Sequence, residues 1–347
     1  MPLPAGQFTW GLELEPVARL GNARNSTSVR EDAALYPCTI AALSSDRFVA
    51  ARTYAPGTLL AFPGEDEDPA ELGGRGQGPG EFGTDLRLVT PTTDDRIWVV
   101  DNTNLRLAEI DADGEWLGST RLPGRALSHA PLGDDEIILY TKPANSPVEG
   151  SPVIRRLDLG TGVAFPLLTV DPELAALELD QWVVNTTASG QVLAAQIWTG
   201  TVLIWEPGAS NPARVIATRP NDRDAPELNA SFLEGIHVTR PPPPSITHIE
   251  LDTDGRLWVY WLMPDADWRP GMPGNSMLDW ATATFDTEVL IIDPDDEELV
   301  ARARFAFVLS PVCGRDLMYS VEWSGDGDVE AVVWQPRLVD TAPPAIP

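Results

Sequence analysis

Residues 249–262 read IELDTDGRLWVYWL. An alternating apolar stretch runs into a polar turn with Asp and Gly, and a second β-rich stretch returns. Asp and Gly accept the unusual backbone angles of tight hairpins. Val, Trp and Tyr suit a pleated, half-buried surface. The same grammar occurs in TIAALSSDRFVAART from Thr39, LVTPTTDDRIWVVD from Leu88, SHAPLGDDEIILYT from Ser128, VVNTTASGQVLAAQ from Val183 and VEWSGDGDVEAVVW from Val321. Across the six hairpins the turns align on Asp46, Asp95, Asp135, Gly190, Gly255 and Gly327.

A second, weaker hairpin follows most of these. It reads LRLAEIDADGEWLGSTRL from Leu105, VIRRLDLGTGVAFPLLTV from Val153, TVLIWEPGASNPARVIAT from Thr201 and EVLIIDPDDEELVARARF from Glu288, with TLLAFPGEDEDPAELGG from Thr58 in the same slot. Two hairpins make four antiparallel strands, one blade of a β-propeller. A lone four-stranded sheet exposes both faces, and packing blades around an axis buries them while leaving only short edges. A β-sandwich is the competing fold, but it needs no repeat of paired hairpins. The expected fold is therefore all-β: one six-bladed propeller over 1–347, with blades near 36–84, 85–124, 125–177, 178–245, 246–307 and 308–340 plus 8–21. The last blade runs short at its C-terminal end, and FTWGLELEPVARLG from Phe8 is expected to supply its missing outer strand and close the ring.

Composition agrees. Pro, at 33 of 347 residues, stands near twice its usual share of ~5%, which long helices tolerate poorly. Disorder is excluded by 43% hydrophobic residues, 12 Trp among them, in patterned runs. A net charge of −28 repels phosphate backbones and anionic membranes, so nucleic acid is not an expected partner. No apolar run approaches the length of a membrane span, and the N-terminal Met-Pro-Leu-Pro does not read as a signal peptide.

The stretch GGRGQGPGEFG, residues 73–83, joins the first blade to the second. It resembles the GxGPGEF-type linker of bacterial six-bladed β-propellers related to the NHL-repeat proteins. The next blade, RIWVVDNTNLRLAEIDADGEWL, resembles the NHL pattern, with Asp101, Asn104 and Arg106 at its polar positions. The resemblance spans about residues 73–118 and fades to strand pattern elsewhere. It implies a six-bladed ring exported to, or anchored at, the bacterial envelope, in a group that includes binding scaffolds and metal-dependent hydrolases. The linker itself reads as structural: Gly76, Gly78 and Gly80 for tight turns, Phe82 as a plug between blades, and Glu81 as an acceptor for linker amides. A phosphate cradle would need a following helix and a Lys-Ser/Thr pair, which are absent.

No motif declares a reaction. There is no nucleophile elbow, no HExxH and no dinucleotide fingerprint, so the chain does not read as an enzyme and no cofactor is expected outright. Loops at one channel mouth are expected to gather Tyr36, Asp85, Arg125, Asp180, Asn185 and His248, with His129 near the start of an inner strand. A Pro/Gly-rich loop over 262–285 carries Trp268 and Trp280, aromatics suited to anchoring a ligand or protein partner, and 278–285 suits a short helical turn. Acidic runs at 65–68 and 293–298 could attract Ca²⁺ but read first as solvated turns. Cys38 and Cys313 precede the inner strands of the first and sixth blades, neighbours in the ring. A disulfide and two buried thiols both fit. Two functional readings follow: an extracytoplasmic binding or scaffold propeller, as such or within an envelope assembly, and a Ca²⁺-assisted, lactonase-like hydrolase using channel carboxylates.

Overall fold

The computed structural model describes residues 10–20, 38–43, 47–51, 57–62, 69–89, 96–142, 151–169, 179–219, 240–270, 281, 283–313, 315–323 and 329–340. Among the described residues, strands form six four-stranded antiparallel sheets and one two-stranded parallel pair. Helical backbone is confined there to Ala281, Ala283 and Thr284, within the stretch expected to make a turn.

From the channel outward, blade 1 is Ile40–Ala42, Phe48–Ala51, Leu59–Phe62 and Ala70–Leu72. Blade 2 is Leu86–Val89, Arg96–Asp101, Arg106–Asp111 and Trp116–Arg121. Blade 3 is Arg125–Leu132, Glu136–Lys142, Pro152–Asp158 and Ala164–Thr169. Blade 4 is Trp182–Thr186, Val192–Gln196, Thr201–Trp205 and Arg214–Ala217. Blade 5 is Ser245–Leu251, Leu257–Pro264, Phe285–Asp293 and Glu298–Phe305. Blade 6 is Ser310–Val312, Leu317–Trp323 and Val329–Asp340, completed on its outer edge by Trp10–Leu20. The innermost strands touch in succession around a closed circle. The fold is a six-bladed β-propeller closed by its N-terminal strand.

One hairpin departs from the sequence reading. VEWSGDGDVEAVVW holds the second and third strands of blade 6, not the first and second. The innermost strand is Ser310–Val312, paired with Leu317–Trp323. Three residues are too few to display alternation, so the next hairpin took its place.

The core lies between blades rather than within them. Each neighbouring pair shares one apolar layer: Phe82, Leu86 and Leu88 meet Ala41, Val49 and Leu59 between blades 1 and 2, and Ile138, Tyr140 and Ile154 meet Val184, Ala194 and Trp205 between blades 3 and 4. The closing strand serves two layers. Trp10, Leu12 and Leu14 pack toward blade 5, whereas Ala18 and Leu20 pack toward blade 1. Strict alternation would put these even-numbered residues on one face. The register against Val329–Asp340 shifts between Pro16 and Ala18, and a one-residue bulge turns the remainder of the strand over.

The linker is held by its own side chains. Glu81 Oε2 accepts the N–H of Gln77 at 3.0 Å and of Gly78 at 2.9 Å. Asn104 donates to the Gly76 carbonyl and to Asp101. Arg106 donates to the carbonyls of Gln77, Gly78 and Glu81, while Asp101 accepts from Gly83 N–H. Phe82 is buried between blades 1 and 2. A Cβ on Gly76 would lie 2.0 Å from Glu81 Oε2, and Gly80 has φ +71°, so both positions need glycine.

Candidate functional site

The inner strands leave a cavity of about 780 Å³ in the channel. Its walls come from the inner strands of blades 3, 4 and 5, the turns that follow them, the residues around the inner strand and first turn of blade 6, and Cys38 ahead of blade 1. In an antiparallel blade the inner strand starts at one face of the ring and ends at the other, and the lining reaches the inner hairpin turns at 187–191, 252–255 and 315–316. The sequence alone points to the loops leading into these strands.

That difference sorts the expected residues. His129, Asn185 and His248 line the cavity. Asn185 bridges blades 4 and 5, donating to the Ile249 carbonyl at 2.8 Å. Asp85 and Arg125 lie outside the lining and pair with each other at 2.8 and 3.0 Å, with Arg87 on the other Asp85 oxygen at 3.1 Å. Asp180 accepts the Trp182 indole N–H through its side chain and the Tyr140 hydroxyl through its carbonyl, both at 2.6 Å. Trp268, half-buried, follows the second strand of blade 5 and is not part of the lining. Tyr36, Trp280 and the acidic run at 65–68 lie outside the described residues. Cys38 and Cys313 are joined as a disulfide, Cα atoms 5.0 Å apart, and both line the cavity.

The lining adds residues not nominated from sequence. Glu250, Asp252, Arg315 and Asp316 gather at the blade 5–blade 6 side. Glu250 accepts the Tyr260 hydroxyl at 2.9 Å and stands 3.5 Å from His248 Nε2. A signal for part of this was available: His248, Glu250 and Asp252 alternate with Ile249 and Leu251, the pattern of a strand with one polar face. Among the described residues, no three His, Cys, Asp or Glu side chains form a group able to hold a metal ion.

His129 is buried in the wall of the site beside Arg87 and the Leu88 backbone. It is 3% exposed, and neither ring nitrogen makes a hydrogen bond of good geometry. Burial, then the Arg87 charge, hold its imidazole at about 4, against an ordinary 6.5; the Leu88 backbone opposes this weakly. The folded pKa is depressed, so between about 4 and 6.5 the unfolded chain holds more protons. The stability carried by the neutral ring is present in full above 6.5 and is lost as pH falls toward 4. At about 1.4 kcal/mol per pH unit the loss is about 3 kcal/mol. Urea midpoints measured across this range should fall accordingly, and His129→Gln should flatten the slope. An equal slope in that variant would refute the assignment.

No family model matches the chain, and no curated protein does. Solved structures do. A member of the DUF4221 family from Bacteroides vulgatus superposes with TM-score 0.65 at 14% identity, covering 95% of this chain and 99% of that one. A "Putative exported protein" from Bacteroides fragilis superposes with TM-score 0.55 at 12% identity, covering 94% and 95%. At such identities the likeness is one of fold.

Proposed function

We propose that the ring is an extracytoplasmic binding protein that receives a small polar ligand in its channel. The observation that carries this reading is the cavity itself: about 780 Å³, walled mainly by blades 3 to 6, with polar and charged side chains along much of its lining. The disulfide suits an oxidising compartment. The exported designation of the Bacteroides fragilis neighbour points the same way, as does the resemblance of the 73–83 linker to NHL-type envelope propellers. The calcium-hydrolase alternative draws no support from the spacing of the described carboxylates.

Ligand-observed NMR with a library of small polar fragments tests the reading. Fragments should bind the wild-type protein and be lost in Ala188→Trp, which narrows the mouth at an exposed turn position of the lining, with the melting temperature unchanged. No binding, or binding indifferent to the tryptophan, would remove the cavity as the functional site.

A further inference from the structure

Residues 1–347 hold two cysteines, Cys38 and Cys313, and these are bonded to each other. No third thiol stands in the sequence to reshuffle the bond, so any exchange needs a sulfur from another molecule. The bond lies where such a sulfur can enter. Both residues line the cavity of about 780 Å³, although only 5% and 7% of their surfaces are exposed. Access is therefore through the cavity, and a space of this size suits a small molecule: pockets of about 300–1,000 Å³ take drug-sized ligands.

Cys38 is also held in an unusual backbone conformation. Its φ is +61°, in the left-handed region that residues other than glycine seldom adopt. Such a conformation persists where the surroundings over-determine it. The bond to Cys313 is one tie, and the Cys38 carbonyl, which accepts Leu88 N–H at 2.6 Å, is another. Severing the first leaves the second. Blades 1 and 6 also keep their other fastenings beside the channel. Thr39 and Tyr319 share a buried hydroxyl hydrogen bond of 2.7 Å, and Arg315 donates to the Ala42 and Leu43 carbonyls, at 3.3 and 3.4 Å. With these and the closing strand in place, the bond can open without opening the ring.

We infer that Cys38–Cys313 is a thiol-exchange site, reached through the cavity by a low-molecular-weight thiol. The incoming thiolate attacks one cysteine sulfur. A new S–S bond forms to that sulfur, the old one breaks, and its electron pair leaves on the other cysteine as a thiolate, which solvent protonates. A second small thiol then attacks the mixed disulfide. The protein ends with two thiols and the two small thiols end as one disulfide, so the two electrons balance. Because the bond is part of the cavity wall, the two redox states present different walls to whatever enters.

The test incubates the folded protein with 2-mercaptoethanol and follows the mixed disulfide and the reduced chain by intact mass after acid quenching. Their rate of formation should rise in proportion to thiol concentration, and circular dichroism should show the fold retained. Leu20→Ala weakens the closing strand outside the cavity lining and should exchange at the wild-type rate. Exchange that proceeds only through unfolding would instead be faster in that variant by about thirtyfold or more, following the unfolded population. Ala188→Trp, at the mouth, should slow exchange several-fold by restricting access. A rate that saturates with thiol, acceleration in Leu20→Ala, indifference to Ala188→Trp or loss of the fold on thiolation each overturns the inference. Fragment binding without exchange would overturn it and leave the pocket reading standing. Exchange without fragment binding would support the thiol site while the pocket reading falls.

Discussion

A chain lacking residues 1–20 is expected to lose its folded monomer altogether. Trp10–Leu20 pairs along the length of Val329–Asp340 and forms the outer edge of blade 6. It places Leu20 and Ala18 in the layer shared with blade 1, and Trp10, Leu12 and Leu14 against blade 5. Burying one large apolar side chain contributes about 1.5–3 kcal/mol. Removing several, and uncovering Trp334 and Leu338 beside them, costs on the order of 5–10 kcal/mol, which rivals the whole net stability of a typical domain. It also frees a long strand edge, a template for association. Gel filtration and circular dichroism melting would show aggregate or unfolded chain. Leu20→Ala gives a graded version, at about 2–4 kcal/mol. A truncated monomer melting within a few degrees of wild type would refute the role given to this strand.

Replacing both Cys38 and Cys313 by Ser is expected to cost about 3–5 kcal/mol. The bond spans 275 residues of sequence, and a cross-link over so long a loop strongly restricts the unfolded chain. It ties the start of blade 1 to the inner edge of blade 6, beside the channel, while the N-terminal strand ties the same region at the rim. The ring is therefore closed at two radii. Guanidinium midpoints of wild type and the double variant decide the matter, and coincident midpoints would dismiss the staple. Because both cysteines line the cavity, weaker fragment binding should accompany the loss.

The ring was legible in the sequence because hairpin grammar is local. Alternation, an Asp or Gly turn and a return strand can be read from a dozen residues, as at 249–262. A hairpin's place within its blade is not local. The segment from Val321 has the same grammar as the inner hairpins, and only its pairing with Ser310–Val312 on one side and Trp10–Leu20 on the other reveals its position. The bulge near Val17 was equally hidden, since Leu14 and Ala18 differ in facing only through their partners. The site was legible in part. His248, Glu250 and Asp252 carry their polar face in their spacing. Asp316 joins them across a blade boundary from a turn of no distinctive composition, and the low imidazole pKa of His129 depends on burial and on Arg87, contributed by another blade. Asp85 and Arg125 read as site residues because each is a charged group at a blade entrance. Their mutual pairing across two blades makes them a fastening.

The closing strand also sets a schedule. On a ribosome the strand with Trp10 emerges before the strands of the other five blades, and the strand that receives it emerges after them, since Trp10 lies opposite Asp340. Five blades must be laid down while the first-born strand waits with its edge unsatisfied. Contacts so distant along the chain form slowly, because the loop between them must be closed first. Completion of the fold thus waits for the strand at Val329–Asp340, and a polypeptide stopped before it carries an unmatched strand to present to whatever chaperone or protease inspects it.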